Sequence, residues 1–392
     1  MDDLALKGEL VTGELVTVEK YPDLGSDWVS LEGVADGSPF TSWAWVSVWL
    51  RHLPARYRPM VFRACDPTGL VALGLLVDVP ERGIKRLFGN RSIRMQETGA
   101  TDLDEVTIEY TGLLIRRGAE TRAYAALFDE LTRRDRRWRS LRISASSHAR
   151  AVCEALPRPL CAFSANTQPC YLVDLAQLRR EGGNYPACLS SRTRNLLRKT
   201  RRAYEALGPV RMAVAHEPRQ ALDWLGEMRM LHDRHWQSKG LRGSFASRFF
   251  CAFHSDLVRA GTRGGLTQLL RVSAGPATIG YLYNLLWRKR VYFYNTGLNY
   301  GVLDRHDRPG YLGHLLAIEK YLVEGADSYD FLAGDQQYKR SLGTHPVALH
   351  GIDIRPRGWR LDLEHTLRAM SRRPLSDLLA RGSIGPAADH NI

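Results

Sequence analysis

Apolar residues along this chain recur with two alternating periods, short runs near two and longer runs near 3.6, which is the pattern of strands interleaved with helices. Tryptophans at 43, 45 and 49 lie in a helical spacing that predicts a helix over 40–50. Runs over 60–64 and 70–79 read as a hairpin, with Asp66-Pro67-Thr68-Gly69 as its turn. The spacing then predicts a strand over 107–115 and a helix over 121–139 with Tyr124, Leu127, Phe128 and Leu131 inward. Strands follow over 141–144 and 170–175. After the loop Glu181-Gly182-Gly183-Asn184-Tyr185-Pro186, a helix capped by Ser190 or Ser191 runs to Gly208-Pro209. A strand over 210–215 leads to a long helix from Pro218 to about Gly240. Strands over 265–272, 278–287 and 291–296 suit an antiparallel meander. Asp307-Arg308-Pro309-Gly310 opens a helix with a Leu312, Leu315/Leu316, Ile318, Leu322 stripe, and Gly325 ends it. A strand over 329–332, a helix starting near Asp335 and a strand over 347–354 complete the series.

The series predicts an α/β protein. The length of 392 residues suits two domains or an internal pseudo-repeat. The divisions expected are a preamble over 1–38, which holds the tandem Gly8-Glu9-Leu10-Val11-Thr12 and Gly13-Glu14-Leu15-Val16-Thr17, a first domain over 39–180, a second over 181–360, and a basic helix and polar tail over 361–392. No apolar run spans a bilayer and no leader pattern opens the chain, so the expected location is the cytoplasm, away from membranes. Six scattered cysteines without CxxC and histidines without HExxH give neither a disulfide framework nor a metal site.

Net charge is +13, mostly from arginine, and it changes the picture at one place. Arg192, Arg194, Arg198, Lys199, Arg201 and Arg202 fall between Ser190 and Arg202 with no acid. Such a stripe can hold phosphates of a coenzyme, a nucleotide sugar or an RNA, or it is a solvated helix face.

Candidate chemistry concentrates at Tyr329-Asp330-Phe331-Leu332-Ala333-Gly334-Asp335-Gln336-Gln337-Tyr338-Lys339-Arg340. An apolar strand pattern breaks at Gly334 and releases a carboxylate, a phenol and an ammonium within five residues. A helix starting near Asp335 would gather Asp335, Tyr338 and Lys339 at one end, where they can move protons. Asp335 is equally a plain helix cap. His232, His235 and Trp236 share a face of the long helix, and Asn295 and Asn299 sit on one strand; both sets can read polar substrate groups or serve packing. No GxSxG elbow is present, which disfavours a covalent acyl-enzyme.

Three strings carry a resemblance: Leu231-His232-x-x-His235-Trp236-x-x-x-Gly240, Arg308-Pro309-Gly310, and Tyr329-Asp330-Phe331-Leu332-x-Gly334-Asp335-x-x-Tyr338-Lys339. With the order of elements, they make residues 190–354 resemble the GNAT acyltransferase superfamily, within it the tandem-GNAT acetyltransferases often grouped near cellulose-biosynthesis proteins. The first half resembles that family's degenerate GNAT-like half. The arrangement is also similar to the Fem-type ligases, which take amino acids from aminoacyl-tRNA; their Phe-Lys-x-x-Phe-Gly motif resembles Tyr338-Lys339-Arg340-Ser341-Leu342-Gly343.

The resemblance implies a tandem GNAT-like (Fem-like) fold of two mixed, mostly antiparallel sheets flanked by helices. It places the pyrophosphate of acetyl-coenzyme A, or another acyl-coenzyme A, at the helix opening Pro309-Gly310-Tyr311-Leu312-Gly313. Arg308, Gly310, Tyr311 and Gly313 would form that site, with Arg305 near it. The family's signature is broken by Asp307 and Leu312. Tyr338 matches the phenol that protonates the leaving thiolate and Lys339 the lysine that stabilises developing charge. The reading is an N-acyltransferase acting by direct transfer to an amine of a small-molecule or biosynthetic-intermediate acceptor. One alternative keeps the fold with aminoacyl-tRNA as donor; another is a non-catalytic basic RNA-binding or scaffold protein.

Overall fold

In the computed structural model, residues 10–80, 91–134 and 138–357 are described. The tail expected over 361–392 and the start of the Gly8–Thr12 copy lie outside them. Strands β1 (Thr12–Thr17), β2 (Met60–Asp66), β3 (Gly69–Pro80), β4 (Arg91–Met95), β5 (Leu114–Ile115), β6 (Trp138–Ser146) and β7 (Leu160–Asp174) come from the first half. The second half adds β8 (Val210–Val214), β9 (Thr267–Ala274), β10 (Ala277–Trp287), β11 (Arg290–Leu298), β12 (Ser328–Ala333) and β13 (His345–Pro356). They form one sheet in the order β1-β2-β3-β4-β6-β13-β7-β12-β11-β10-β9-β8, with β5 on β3. The two sheets expected from sequence are thus hydrogen-bonded edge to edge. The joint is β13, which leaves the second half and pairs along its whole length with β7 while also pairing with β6.

The helices are α1 (Leu24–Val34), α2 (Trp43–His52), α3 (Thr101–Asp104), α4 (Glu120–Arg134), α5 (Ala149–Glu154), α6 (Leu175–Arg180), α7 (Ser191–Glu205), α8 (Pro218–Ser238), α9 (Arg248–Gly264), α10 (Pro309–Val323) and α11 (Gln337–Leu342). Helices α1, α2, α8 and α9 bury their apolar stripes in one core on a single face of the sheet, and that core crosses both halves. On the other face, α4 and α5 cover the first half and α6, α7 and α10 the second. Trp45 of α2 meets Phe253 and His254 of α9 and Tyr294 of β11 edge-on at centroid separations of 4.8 to 5.9 Å. Such aromatic pairs each add about 0.5–1.5 kcal/mol beyond area burial, so the halves are fastened at this point.

Two expectations are overturned here. Residues 107–115 are not a strand: only Leu114 and Ile115 pair, with β3, and the backbone before them turns through positive φ at Thr107 (+39°) and Tyr110 (+52°). The side chains of Glu109 and Tyr110 bind β12 instead of a neighbouring ladder. The last helix starts at Gln337 with Gln336 as its cap, so Asp335 is neither in the helix nor its N-cap.

The feature that positions the site is a divergence of strands. β11 and β12 are parallel neighbours, but they pair only over Arg290–Tyr292 and Ser328–Asp330. Beyond this point β11 continues to Leu298 on β10, while β12 kinks at Leu332, whose φ is +62°. A parallel pair inside a mostly antiparallel sheet, opened by a kink, leaves a wedge in its middle. Side chains alternate across it. Phe293 and Phe331 join the core beneath α10, and Leu332 joins the core under α8 and α9.

Candidate active site

The wedge holds two adjoining chambers that share Phe293, Tyr294, Asn295, Thr296 and Tyr338 in their walls. The larger, about 490 Å³, opens toward the N-terminus of α10 and is flanked by α8. The smaller, about 230 Å³, lies against the kink of β12 and reaches Glu109 and Lys339.

Helix α10 begins with Arg308 as N-cap and Pro309 at its first position, and among the described residues no side chain caps it. Its first free amides, at Gly310 and Tyr311, are therefore available to an anion, with the positive end of the helix dipole behind them. Arg308, Gly310 and Tyr311 line the larger chamber, and Lys239 flanks the same opening from α8. A Cβ on Gly310 would come within 3.2 Å of Leu298, so glycine there lets the backbone sit close to β11. Asp307, the residue that breaks the coenzyme signature, does not face the chamber. Its carboxylate accepts hydrogen bonds from the Tyr204 hydroxyl of α7 and the Gly301 amide. Gly313 lies away from the chamber; a Cβ there would stand 3.3 Å from Leu282, so this glycine serves packing on β10.

Tyr338 stacks on His314 of α10 with centroids 5.4 Å apart and planes at 9°, and meets Phe331 edge-on. Burial pushes its phenol well above the usual tyrosine range, so it stays protonated at neutral pH. His314 is itself fixed by a 3.0 Å hydrogen bond between Nδ1 and the Tyr329 hydroxyl, and burial holds it near 3, hence neutral. Lys339 is buried, and Nζ donates to the carbonyls of Leu332 (3.2 Å) and Ala333 (2.6 Å), which grips the kink of β12. Burial lowers its pKa, while Glu109, Cys170 and Asp330 oppose that shift.

Glu109 is the group that sequence reasoning missed. Only 7% exposed, it accepts a 2.6 Å hydrogen bond from the Ala333 amide. Burial raises its pKa to about 7, against the lowering effects of that amide and of Lys339. Glu109, with a pKa near 7, and the protonated Tyr338 line one chamber, two groups chemically able to take and to give a proton. Asp330 underlies both; its carboxylate accepts from Tyr110, from the Cys170 thiol (3.0 Å) and from the Leu332 amide (2.7 Å), and so builds the kink.

The segment that carries Tyr338 matches a family model described as an acetyltransferase (GNAT) domain, over residues 191–340. Residues 191–340 form a GNAT domain. The protein is accordingly an acyltransferase. Its fold is that of FemX, with a TM-score of 0.57 at 10% identity over 88% of this chain and 98% of that one. The C-terminal domain of a putative lysylphosphatidylglycerol synthetase from Agrobacterium fabrum is also similar, with a TM-score of 0.49 at 12% identity, covering 89% and 98% of the two chains. So is a tandem GNAT protein from the clavulanic acid biosynthesis pathway, with a TM-score of 0.42 at 14% identity, covering 88% and 99%. No curated protein matches the chain in sequence.

Within the GNAT domain the expected site residues separate into two groups. Tyr338, Lys339, Asn295, His232, His235, Trp236, Arg308, Gly310 and Tyr311 converge on the chambers. His235 stacks on Tyr300 (4.7 Å, 22°) at the mouth, and burial lowers the pKa of His232. Asn299 does not converge: its amide donates to the Thr278 carbonyl at 3.0 Å and so closes the end of the β10–β11 hairpin. Asp335 lies outside as well. It is exposed, ion-paired to Arg340 at 2.8 Å, and accepts from the Tyr171 hydroxyl at 2.8 Å. Gly334, at φ +128°, turns the chain so that Asp335 leaves the wedge while Tyr338 and Lys339 return to it. Asp335→Asn is expected to leave turnover within about two-fold of wild type, because exposed pairs of this kind contribute about 0–1 kcal/mol. A loss of ten-fold or more in steady-state rate would restore Asp335 to the chemistry. Among the described residues, no helix is long and apolar enough to cross a membrane, and no group of three metal-ligating side chains converges.

Proposed function

We propose that the protein is an N-acyltransferase that passes an acyl group directly from an acyl-coenzyme A to the amine of a small acceptor. One observation carries the reading: Glu109 and Tyr338, a base near neutrality and a protonated phenol, line one wedge whose far end is an uncapped helix N-terminus. The amides of Gly310 and Tyr311, with Arg308, would hold the donor's pyrophosphate. The open glycine backbone and the absence of a capping side chain fit that role. Bound there, the donor supplies its acyl carbon as a thioester.

Glu109 takes the proton from the acceptor's ammonium and leaves a nucleophilic amine. The amine attacks the thioester carbon, and the C–N bond forms as the C–S bond breaks. Tyr338 gives its proton to the departing sulfur, and the second proton shed by the new amide nitrogen returns to the Tyr338 phenolate. Lys339, with two protons on backbone carbonyls, fixes the kink and adds positive charge beside the carbonyl oxygen that becomes negative. Each proton transfer contributes about 10²–10⁴-fold in rate. Because Glu109 comes from the first half, the two halves complete the site together.

A second reading keeps these roles and changes the donor to aminoacyl-tRNA. It is favoured by α7, on which Arg192, Arg198, Lys199 and Arg202 are exposed and have no acidic partner among the described residues. Coenzyme A thiol release, measured with acetyl-coenzyme A and a panel of small amines before and after ribonuclease treatment, separates the two. Release untouched by ribonuclease is expected. Amide formation that appears only with aminoacylated tRNA, and vanishes after ribonuclease, would replace the first reading by the second.

A further inference from the structure

Glu109 reaches the wedge on backbone that no ladder holds. Between Asp104 at the end of α3 and Leu114 at the start of β5, Thr107 and Tyr110 have positive φ, a conformation that costs non-glycine residues on the order of 1–3 kcal/mol each. Such strain persists only where the surroundings over-determine it. The far end of the strap is tied by Thr111, whose amide donates to the Ala145 carbonyl and whose hydroxyl accepts from the Ala145 amide, both at 2.8 Å. Its near end has a different tie: the Val106 carbonyl accepts the hydroxyl proton of Tyr294, from β11.

The Tyr294 oxygen has a second partner, Nε2 of His254 at 2.9 Å, and the other ring nitrogen, Nδ1, stands 3.3 Å from the Tyr283 hydroxyl. His254 is completely buried on α9 and lines neither chamber. With the Tyr294 proton on Val106, Nε2 must carry a hydrogen and donate to the Tyr294 oxygen. Nδ1 is then an acceptor for the Tyr283 hydroxyl. This direction alone satisfies every member: Tyr283 donates to His254, His254 to Tyr294, and Tyr294 to Val106. Reversing it would leave the buried Val106 carbonyl unpaired, at about 1–3 kcal/mol. The ring in this chain is neutral, in keeping with burial that holds His254 near 3.

We propose that His254 is a positioning residue that, through Tyr294, fixes the strap bearing Glu109 and so sets the placement and basicity of that carboxylate. The proposal rests on the reading of Glu109 as the base. The titratable groups that act on Glu109 or are acted on by it are Lys339 of α11, Asp330 of β12, Cys170 of β7, Tyr294 of β11 and Tyr338. His254 is not among them, and it is uncharged. Its replacement therefore acts on Glu109 by geometry rather than by charge.

The test is a carbon-13 titration of the glutamate carboxyls in the full chain, with the Glu109 signal assigned by its loss in Glu109→Gln. Wild type is expected to titrate near 7. His254→Gln, whose amide can donate from the Nε2 position, is expected to match it. His254→Phe and Tyr294→Phe free the strap, admit water to Glu109 and move its midpoint about one unit or more toward the ordinary carboxylate range. In the same variants kcat falls, and in His254→Phe, whose site touches neither chamber, KM for the donor stays unchanged. If His254→Phe does not fold, the nearly isosteric Tyr294→Phe decides alone. Unmoved midpoints in the folded variants would overturn the proposal and leave Glu109 as the base. A wild-type midpoint already in the ordinary range would overturn the base reading, and the proposal with it.

Discussion

Glu109→Gln is expected to cut turnover by about 10²–10⁴-fold, the usual contribution of a positioned general base. Glutamine preserves the shape and can still accept from the Ala333 amide, so the kink of β12 is retained. Wild-type kcat/KM should rise with pH through a midpoint near 7, since only the deprotonated carboxylate accepts the amine's proton. The variant should lose that limb together with the rate. Stability gives an independent check. A carboxyl whose folded pKa lies near 7, above its unfolded value of 4.5, favours the folded state most below pH 4.5, and that contribution declines as pH rises to 7. Glutamine lacks this decline, so Glu109→Gln should be at least as stable as wild type at pH 8. A thermal melt separates lost chemistry from lost fold. Wild-type turnover in a folded Glu109→Gln protein would remove the base assignment.

Tyr338→Phe is expected to lower kcat by about 10²–10³-fold, the lower part of the range for a lost general acid. The ring keeps its stack on His314 and its edge contact with Phe331, so the wall of the chamber stays in place. The donor should bind as before, and KM should change little. The deficit should shrink with a donor whose leaving thiol is more acidic, because such a thiolate departs without a proton. An equal deficit with both donors would mean that the hydroxyl binds substrate and does not protonate the sulfur. Single-turnover rates with the two donors make the comparison.

Much of the second half was legible because its signals are local. Each strand of the β9–β11 meander, the stripe of α10 and the apolar run of β12 declares itself within fifteen residues, and the phenol and lysine follow a glycine break. Glu109 was not legible. Its segment alternates like a strand, and the partners that prevent pairing, Asp330, Ala333 and Tyr294, lie 188 to 224 residues away. No local pattern announces such ties. Helix α9 is a different case. Ser247 as cap and Phe250, Phe253/His254, Leu257/Val258 and Gly261 at helical spacing are a readable signal, and His254 sits on that buried face. His314 was concealed inside the leucine stripe of α10, where an apolar face masks a ring that orients the phenol. Asp335 misled because proximity in sequence to Tyr338 is cancelled by the turn at Gly334.

On the proposed reading, a chain with a broken coenzyme signature keeps its anion site. Asp307 is spent on Tyr204 and Gly301, where it anchors the loop before α10 to α7, and the amides of Gly310 and Tyr311 remain free of it. In the proposed reaction this helix N-terminus receives the donor while Tyr338 acts beyond it. Calorimetric titration with acetyl-coenzyme A, on wild type, Tyr338→Phe and Gly310→Asp, tests it most directly. Aspartate in a first helical turn favours the helix but repels a bound anion, and its Cβ asks only the flexible end of Leu298, 3.2 Å away, to give by a few tenths of an ångström, so Gly310→Asp should fold and fail to bind. Wild type and Tyr338→Phe are expected to bind one equivalent each, with binding abolished in Gly310→Asp. Binding in Gly310→Asp as tight as in wild type would contradict it.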